Sequence, residues 1–271
     1  MNRLLNNFLL HTGRPMDITK VHHCGFDIAC RTDRSWLDLN VVTEVVGHDS
    51  YGLREMRDAL GPDSVKYILD IGGHIGSFGI FAKSLWPDAM LIAVEPNDEN
   101  YYLYGENLSL NNMQRHSHIV HAAIGYDDTC NCLVNSPNTT GGCLMRRKEE
   151  AQRYVDEGYR FYDKILNDNV ELVTIADICQ RFGVDHFDLA KWDCEGGEVD
   201  AFRLMSKEEA VRFRFMVGEY HIWREEQRRY LKSDKLAVYR FWRMVKRKFP
   251  HLMFGYKHNQ LGLFQAWPRV A

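Results

Sequence analysis

From Lys66 onward, short apolar runs alternate with stretches that repeat their apolar positions at helical spacing. Tyr67-Ile68-Leu69-Asp70-Ile71 reads as a strand, Phe78 to Leu85 as a helix closed by Trp86-Pro87, and Met90-Leu91-Ile92-Ala93-Val94 as a second strand. Asn100 to Leu110 follows as a second helix and Ile119 to Ile124 as a third strand. Strands alternating with helices predict a parallel sheet wound by right-handed crossovers. The alternation breaks over residues 141–170, which open on Gly-Gly-Cys and become charged and aromatic (Arg146 to Glu150, then Tyr154, Tyr159, Phe161, Tyr162). A compact domain needs only a short connection there, so an inserted lid or substrate wall is expected. The winding resumes with Leu172 to Cys179, a strand over Phe187 to Asp193, a helix from about Glu198 to Phe213, and a strand over Phe215 to Tyr220. A long basic helix containing Arg240, Arg243, Lys246, Arg247 and Lys248 ends before Pro250; its charged side reads as solvated and its apolar side as a cover for the sheet. Two last strand-like runs, Leu252-Met253-Phe254 and Leu261 to Phe264, flank Lys257-His258-Asn259 as a closing hairpin. Residues 1–60 carry mixed signals, an alternating stretch at Trp36-Leu37-Asp38-Leu39 and Val41-Val42 and a helix-like Leu53 to Leu60. They read as an N-terminal cap on a main domain covering residues 61–271.

Composition narrows the class. The 271 residues are 45% hydrophobic and 12% aromatic, too rich in both for a disordered chain. A net charge of −3 argues against nonspecific binding to long nucleic acid, which needs a basic face, and favours small or neutral substrates. Seven scattered cysteines, an odd number, suit a reducing compartment, and Cys130-x-Cys132 lacks the spacing of a zinc site. The first ten residues make a poor signal peptide and no apolar run is long enough to span a membrane, so a cytoplasmic, soluble protein is expected. A homo-oligomer is compatible with this composition.

The most informative segment is Asp70-Ile71-Gly72-Gly73-His74-Ile75-Gly76, a strand entering a glycine-rich turn and then a helix. Glycine lets the backbone approach a ligand closely. The dinucleotide fingerprint would need another glycine where Ile71 stands, and Asp70 would repel a pyrophosphate. An acid there can instead help bind a cationic amino acid moiety, such as the one S-adenosylmethionine carries. Val94-Glu95-Pro96 sets a second carboxylate at the end of the next strand, 23 residues after Gly72, where it can receive both hydroxyls of an adenosine ribose.

These residues carry a family resemblance. Asp70-x-Gly-x-x-x-Gly76, Val94-Glu95-Pro96-Asn97, Glu106-Asn107-Leu108 with Asn111, His121-Ala122-Ala123-Ile124-Gly125 and above all Lys191-Trp-Asp193-Cys-Glu195-Gly196-Gly-Glu198 resemble the FkbM family of S-adenosylmethionine-dependent methyltransferases. The resemblance spans about residues 66–220, with Gly197 where the family commonly has Ala. It implies an α/β, Rossmann-like class I methyltransferase fold, a seven-stranded mostly parallel sheet with a reversed C-terminal hairpin. It also implies O-methylation of a hydroxyl on a small molecule, sugar or natural product. The cofactor residues it implies are Asp70, Gly72, Gly73, His74, Gly76, Glu95, Pro96 and Ala123.

Ligands of open α/β sheets bind beyond the carboxyl ends of the strands, so Asp70, Glu95, Asp193 and Glu219 should form one rim. Lys191, Asp193 and Glu195 share strand parity if the extended conformation persists, and the crowded carboxylates need Lys191, a raised pKa or a divalent cation to relieve them. The candidate catalytic residues are Asp193, Glu195, His221 and Lys191, with His221 the best-placed imidazole to act as base. A magnesium-like ion, if used, would sit on Asp193, Glu195 and Glu219. His116-x-His118-x-x-His121 reads as a solvated face. Two rivals remain open, an RNA 2′-O-methyltransferase and a non-catalytic binding module that keeps the cofactor fold; an NAD-dependent enzyme is the more distant third.

Overall fold

The computed structural model of the chain describes residues 8–9, 15–128, 130–135, 143–158, 164–221, 237–256 and 263–269. Met1 to Asn7, Gly141-Gly142, Tyr159, Phe161, Tyr162, Lys257-His258-Asn259 and Leu261-Gly262, on all of which sequence expectations fell, lie outside the described residues.

In chain order, the short strands β1 (Phe8–Leu9) and β2 (Pro15–Met16) pair with each other, and β3 (Ile18–His23) and β4 (Phe26–Arg31) form an antiparallel hairpin. Helix α1 (Ser35–Val42) runs into a π-helical turn at Thr43–Gly47, and α2 (Leu53–Leu60) follows. The winding is β5 (Tyr67–Ile71), α3 (Ser77–Leu85), β6 (Met90–Val94), α4 (Asp98–Leu110) and β7 (Ser117–Val120). Next come β8 (Ala123–Ile124), β9 (Cys132–Asn135), β10 (Cys143–Arg146), α5 (Lys148–Asp156), β11 (Lys164–Asn167) and β12 (Leu172–Val173). Last are α6 (Ile175–Phe182), β13 (Phe187–Trp192), α7 (Gly197–Leu204), α8 (Lys207–Ala210), β14 (Phe213–Gly218), α9 (Ala237–Lys248), β15 (Leu252–Tyr256) and β16 (Phe264–Pro268).

Seven strands form the central sheet in the order β15-β16-β14-β13-β5-β6-β7. All neighbours from β14 to β7 are parallel, while β16 runs antiparallel to both β14 and β15. This is the mostly parallel α/β sheet with a reversed end that the sequence led us to expect. Its central strands are buried on both faces, because helices cover each side, and so they read as continuous apolar runs. Leu69, Ile71, Ile92 and Val94 face a core shared with α6, α7 and α9. Ile68, Leu91 and Ala93 face the other, shared with α3, α4 and the N-terminal elements. Asn107 fastens β4 to that second layer: its Oδ1 accepts from the Ala29 amide at 2.6 Å, and its Nδ2 donates to the carbonyls of Ala29 (3.1 Å) and Ile75 (2.7 Å).

Three sequence expectations change. The alternating Trp36–Leu39 stretch is helical, within α1, and buries Asp38 against Arg31; four residues are too few to separate a strand period from a helical one. The third strand stops at Val120, where the Ala122 amide bonds back to the Val120 carbonyl (3.0 Å), and Ala123–Ile124 pairs instead with Leu172–Val173. The helix expected from Glu198 to Phe213 breaks at Ser206, which caps α8 in a reciprocal box with Glu209, so that the next strand, β14, begins at Phe213. Residues 141–170, expected as a lid, supply β10, α5 and β11; β10 and β11 flank β9, which precedes that stretch, in a three-stranded antiparallel sheet, and α5 packs on it through Cys132, Val134, Ala151 and Tyr154. Among the described residues, no helix is long and apolar enough to cross a membrane.

Behind the carboxyl end of β13 the core is aromatic. Phe202 of α7 is fully buried, 4.7 Å from Trp192 and 5.2 Å from Phe249 between ring centroids. Truncating it would leave a cavity that rigid β-strands cannot collapse. Phe202→Ala is therefore expected to lower the free energy of unfolding by about 3–5 kcal/mol in a denaturant titration.

Candidate active site

The turn between β5 and α3 is set by what surrounds it. Gly72 adopts φ +74°, and any side chain there would run into the backbone carbonyl of Asp193. Gly73, Gly76 and Gly79 lie flush against the ring of Tyr104, whose hydroxyl donates to Asp70 Oδ2 at 2.7 Å. Asp70 is fully buried, and its Oδ1 finds no hydrogen-bond partner among the described residues, with Lys191 Nζ 3.6 Å away. Burial raises the Asp70 pKa, and the Lys191 charge opposes that rise.

Glu95, at the end of β6, is also buried. Its Oε2 accepts from the His74 amide at 2.8 Å; its Oε1 accepts from the Asn97 amide (2.9 Å) and from Asn100 Nδ2 (3.2 Å). A carboxylate offers about four acceptor positions, so these bonds leave room on Oε2 for one incoming hydroxyl rather than the two expected. Burial pushes the Glu95 pKa up to about 7 despite those donors. Asn97 caps α4 by accepting from the amides of Glu99 and Asn100. The Pro96 carbonyl meets Nε2 of His121 at 3.2 Å, and that ring stacks on Tyr101 with centroids 4.7 Å apart. Ala123 is buried in the short β8–β12 ladder. The three histidines of the 116–121 run go separate ways: His118 packs on Phe182, His121 pairs with Asp98 and His116 bonds Arg115.

The other half of the rim surrounds Lys191. Its ammonium donates to the Gly72 carbonyl at 2.6 Å and lies 3.5 Å from Asp193 Oδ2. The same Asp193 oxygen accepts from the hydroxyl of Tyr51 at 3.1 Å. Burial works against the Lys191 charge, but Asp193 and Asp70 raise its pKa above the ordinary value. For Asp193, burial is outweighed by Lys191 and His221, which hold its pKa below the ordinary value.

His221 does not offer the free imidazole expected. Its Nδ1 lies 3.2 Å from Glu198 Oε1, which also accepts the His221 amide at 2.5 Å, and its Nε2 lies 3.5 Å from Glu219 Oε2. Burial disfavours the imidazolium, yet the Glu198 charge and the hydrogen bonds to both carboxylates push its pKa up to about 11. At neutral pH the ring has no lone pair to take a proton. Glu219 moves the other way, raised to about 7 by burial and the nearby Asp193 charge.

Glu195 also departs from expectation, because the strand ends at Trp192 and Glu195 turns into left-handed backbone at φ +54°, which ends the shared parity with Lys191 and Asp193. The ligand-capable atoms that gather within 4.8 Å of one another belong to Asp193, Glu219 and His221, without Glu195. With the His221 ring turned to Glu198 and Glu219, the carboxylates of Asp193 and Glu219 are the oxygen donors of this group that a divalent cation would use.

The same rim also fits a cationic sulfur nucleoside. The unpartnered Asp70 Oδ1, the open position on Glu95 Oε2 and a turn without a side chain at Gly72 lie together at the carboxyl ends of β5 and β6. Five carboxylates (Asp70, Glu95, Asp193, Glu198, Glu219) face two cations (Lys191, His221), and a positive ligand would reduce that excess. Tyr51, Tyr104, Arg31, Asp38 and Asn100 were not singled out from the sequence, since the contacts that bring them to the site cross between elements distant in the chain; an Asn directly before a helix, as at Asn97, is the one signal that was legible.

The chain is similar to several known proteins. The chain is 25% identical over 170 residues to Methyltransferase sdnD of Sordaria araneosa, covering 56% of this chain and 65% of that protein. It is 25% identical over 157 residues to Methyltransferase 1 of Beauveria bassiana, covering 54% of this chain and 61% of that protein. The chain thus spans less than two thirds of the length of both relatives. A solved structure of a putative O-methyltransferase from Klebsiella pneumoniae superposes with a TM-score of 0.48 at 12% identity, covering 82% of this chain and 80% of that one. The Methyltransferase FkbM domain matches residues 70–252, from Asp70 at the tip of β5 to Leu252 at the start of β15, and the chain belongs to that family.

Proposed function

We propose that the protein is an S-adenosylmethionine-dependent O-methyltransferase acting on a hydroxyl of a small molecule, sugar or natural product. The observation that carries the reading is the pair of carboxylates Asp193 and Glu219, of opposite pKa shift, beside the glycine turn. When bound, the cofactor supplies an electrophilic methyl group. Glu95 accepts a ribose hydroxyl, and the buried Asp70 offers negative charge towards the amino acid end. Asp193, held ionised by Lys191 and Tyr51, orients the acceptor hydroxyl. Glu219 takes its proton, since a base with a pKa near the working pH is the most effective. His221 serves as the fixed counter-charge of Glu198 and Glu219, and Glu195 is left outside the reacting set. The acid-lined rim and the net charge of −3 favour a small acceptor over RNA. The cysteine pattern supports a cytoplasmic setting.

The proposal is tested with S-adenosylhomocysteine by calorimetry and with methyl-labelled S-adenosylmethionine against a panel of hydroxyl acceptors. Glu95→Gln is expected to weaken S-adenosylhomocysteine about 10- to 100-fold, the worth of a hydrogen bond to a charged acceptor. Asp193→Asn and Glu219→Gln are expected to lower labelled-methyl transfer by about 100-fold or more while leaving that affinity unchanged. A chain that binds the cofactor but methylates nothing, with these variants indistinguishable from wild type, would favour the non-catalytic module.

Binding should also depend on pH in a definite direction. The ionised form of Glu95 is the better hydroxyl acceptor, so bound cofactor stabilises ionisation and affinity is greatest above pH 7. As pH falls through the value of about 7, affinity is expected to drop by up to about tenfold per unit; Glu95→Gln should flatten that slope. With Glu219 itself taking the proton, chelation with EDTA is expected to leave both binding and transfer intact, and rescue of a chelated, inactive enzyme by magnesium would instead assign a cation to Asp193 and Glu219.

A further inference from the structure

Arg31 lies in β4, outside the residues that match the family, and is buried. Its guanidinium grips Asp38 of α1 through Nε and Nη2 and donates from Nη1 to Asn100 Oδ1 at 2.9 Å. Its Nη2 also lies 3.1 Å from Nε2 of His74, in the glycine turn. A guanidinium can only donate, and it keeps its protons at any pH a protein survives. The His74 nitrogen that faces it must therefore be the one without a hydrogen. The same Nε2 is 3.4 Å from Asp38 Oδ1, longer than an ordinary hydrogen bond, and that oxygen already takes an Arg31 proton. Protonating Nε2 would set two donors head to head in a site with little water.

Burial, with Arg31 and Lys191 adding to it and Asp38 opposing, lowers the His74 pKa and favours a neutral ring. Its single proton then sits on Nδ1. That atom is buried and has no hydrogen-bond partner among the described residues. The amide of the same residue serves Glu95 Oε2, so ring and ribose acceptor belong to one turn. We propose that His74 is a hydrogen-bond donor to the cofactor, its Nδ1–H directed by Arg31 and Asp38 at an oxygen of the ribose or of the terminal carboxylate. Arg31 and Asp38 are positioning residues, and the N-terminal hairpin becomes a working part of the cofactor site. The inference rests on the S-adenosylmethionine reading above.

The test uses the full chain labelled with 15N-histidine, with His74 assigned by its absence in His74→Phe. The neutral Nδ1–H form is expected before ligand, with the Nδ1–H signal moving when S-adenosylhomocysteine is added; Arg31→Lys should shift the proton towards Nε2. By calorimetry, His74→Phe with an unchanged melting transition is expected to weaken S-adenosylhomocysteine about three- to tenfold, one net hydrogen bond. An equal loss for adenosine identifies a ribose oxygen as the acceptor, and a loss for S-adenosylhomocysteine alone identifies the carboxylate. A wild-type proton on Nε2, or a ring signal indifferent to ligand, would overturn the proposal even if the phenylalanine variant misfolds. No binding of S-adenosylhomocysteine to the unaltered chain would overturn the cofactor reading and this proposal with it.

Discussion

Buried negative charge at one end of a parallel sheet is the constraint on which the rest of the site depends. Because β5, β6, β13 and β14 all run the same way, Asp70, Glu95, Asp193 and Glu219 finish on the same edge. Water cannot solvate them well there, so each must be paired, hydrogen-bonded or pushed towards its neutral form. All three solutions are present. Lys191 stands between Asp70 and Asp193, the amides of His74 and Asn97 bind Glu95, and Glu219 has a raised pKa.

The same constraint separates the roles of chemically similar residues. Asp193 receives two donors on one oxygen and is held ionised, whereas Glu219, facing His221 at 3.5 Å, is pushed towards its neutral form by burial and the Asp193 charge. Two carboxylates in contact thereby differ in their readiness to accept a proton, as an acid and base pair requires. His221 is the counterpart on the cationic side. Two carboxylates favour its charged form, so the residue type that sequence reasoning favours for proton transfer is drawn here into ion pairing.

The N-terminal segment contributes more than cover. Its Arg31–Asp38 pair is fully enclosed, and such pairs seldom add much stability over an apolar replacement while removal of one partner is costly. Their use lies in geometry: the fork of Arg31 reaches Asn100 and His74, both of which touch Glu95. At the opposite end of the segment Tyr51, fixed edge-on against Phe78 and held at its carbonyl by Gln265, reaches Asp193. Residues before the matched domain therefore contact both halves of the site.

Much of this was legible in the linear pattern. The apolar runs of β5, β6, β13 and β14, the glycines after Asp70 and the acids at the strand ends identify the sheet, its direction and the edge where the acids gather, because periodicity and strand polarity are local properties of the chain. What the sequence could not supply is who pairs with whom. Tyr51 and Asp193 are 142 residues apart, Arg31 and Asn100 are 69 apart, and no local pattern encodes their meeting. Ionisation follows the same rule: the charge of His221, the proton of Glu219 and the tautomer of His74 depend on neighbours brought together only by packing, since a pKa is set by the field and solvent around a group and not by its place in the chain.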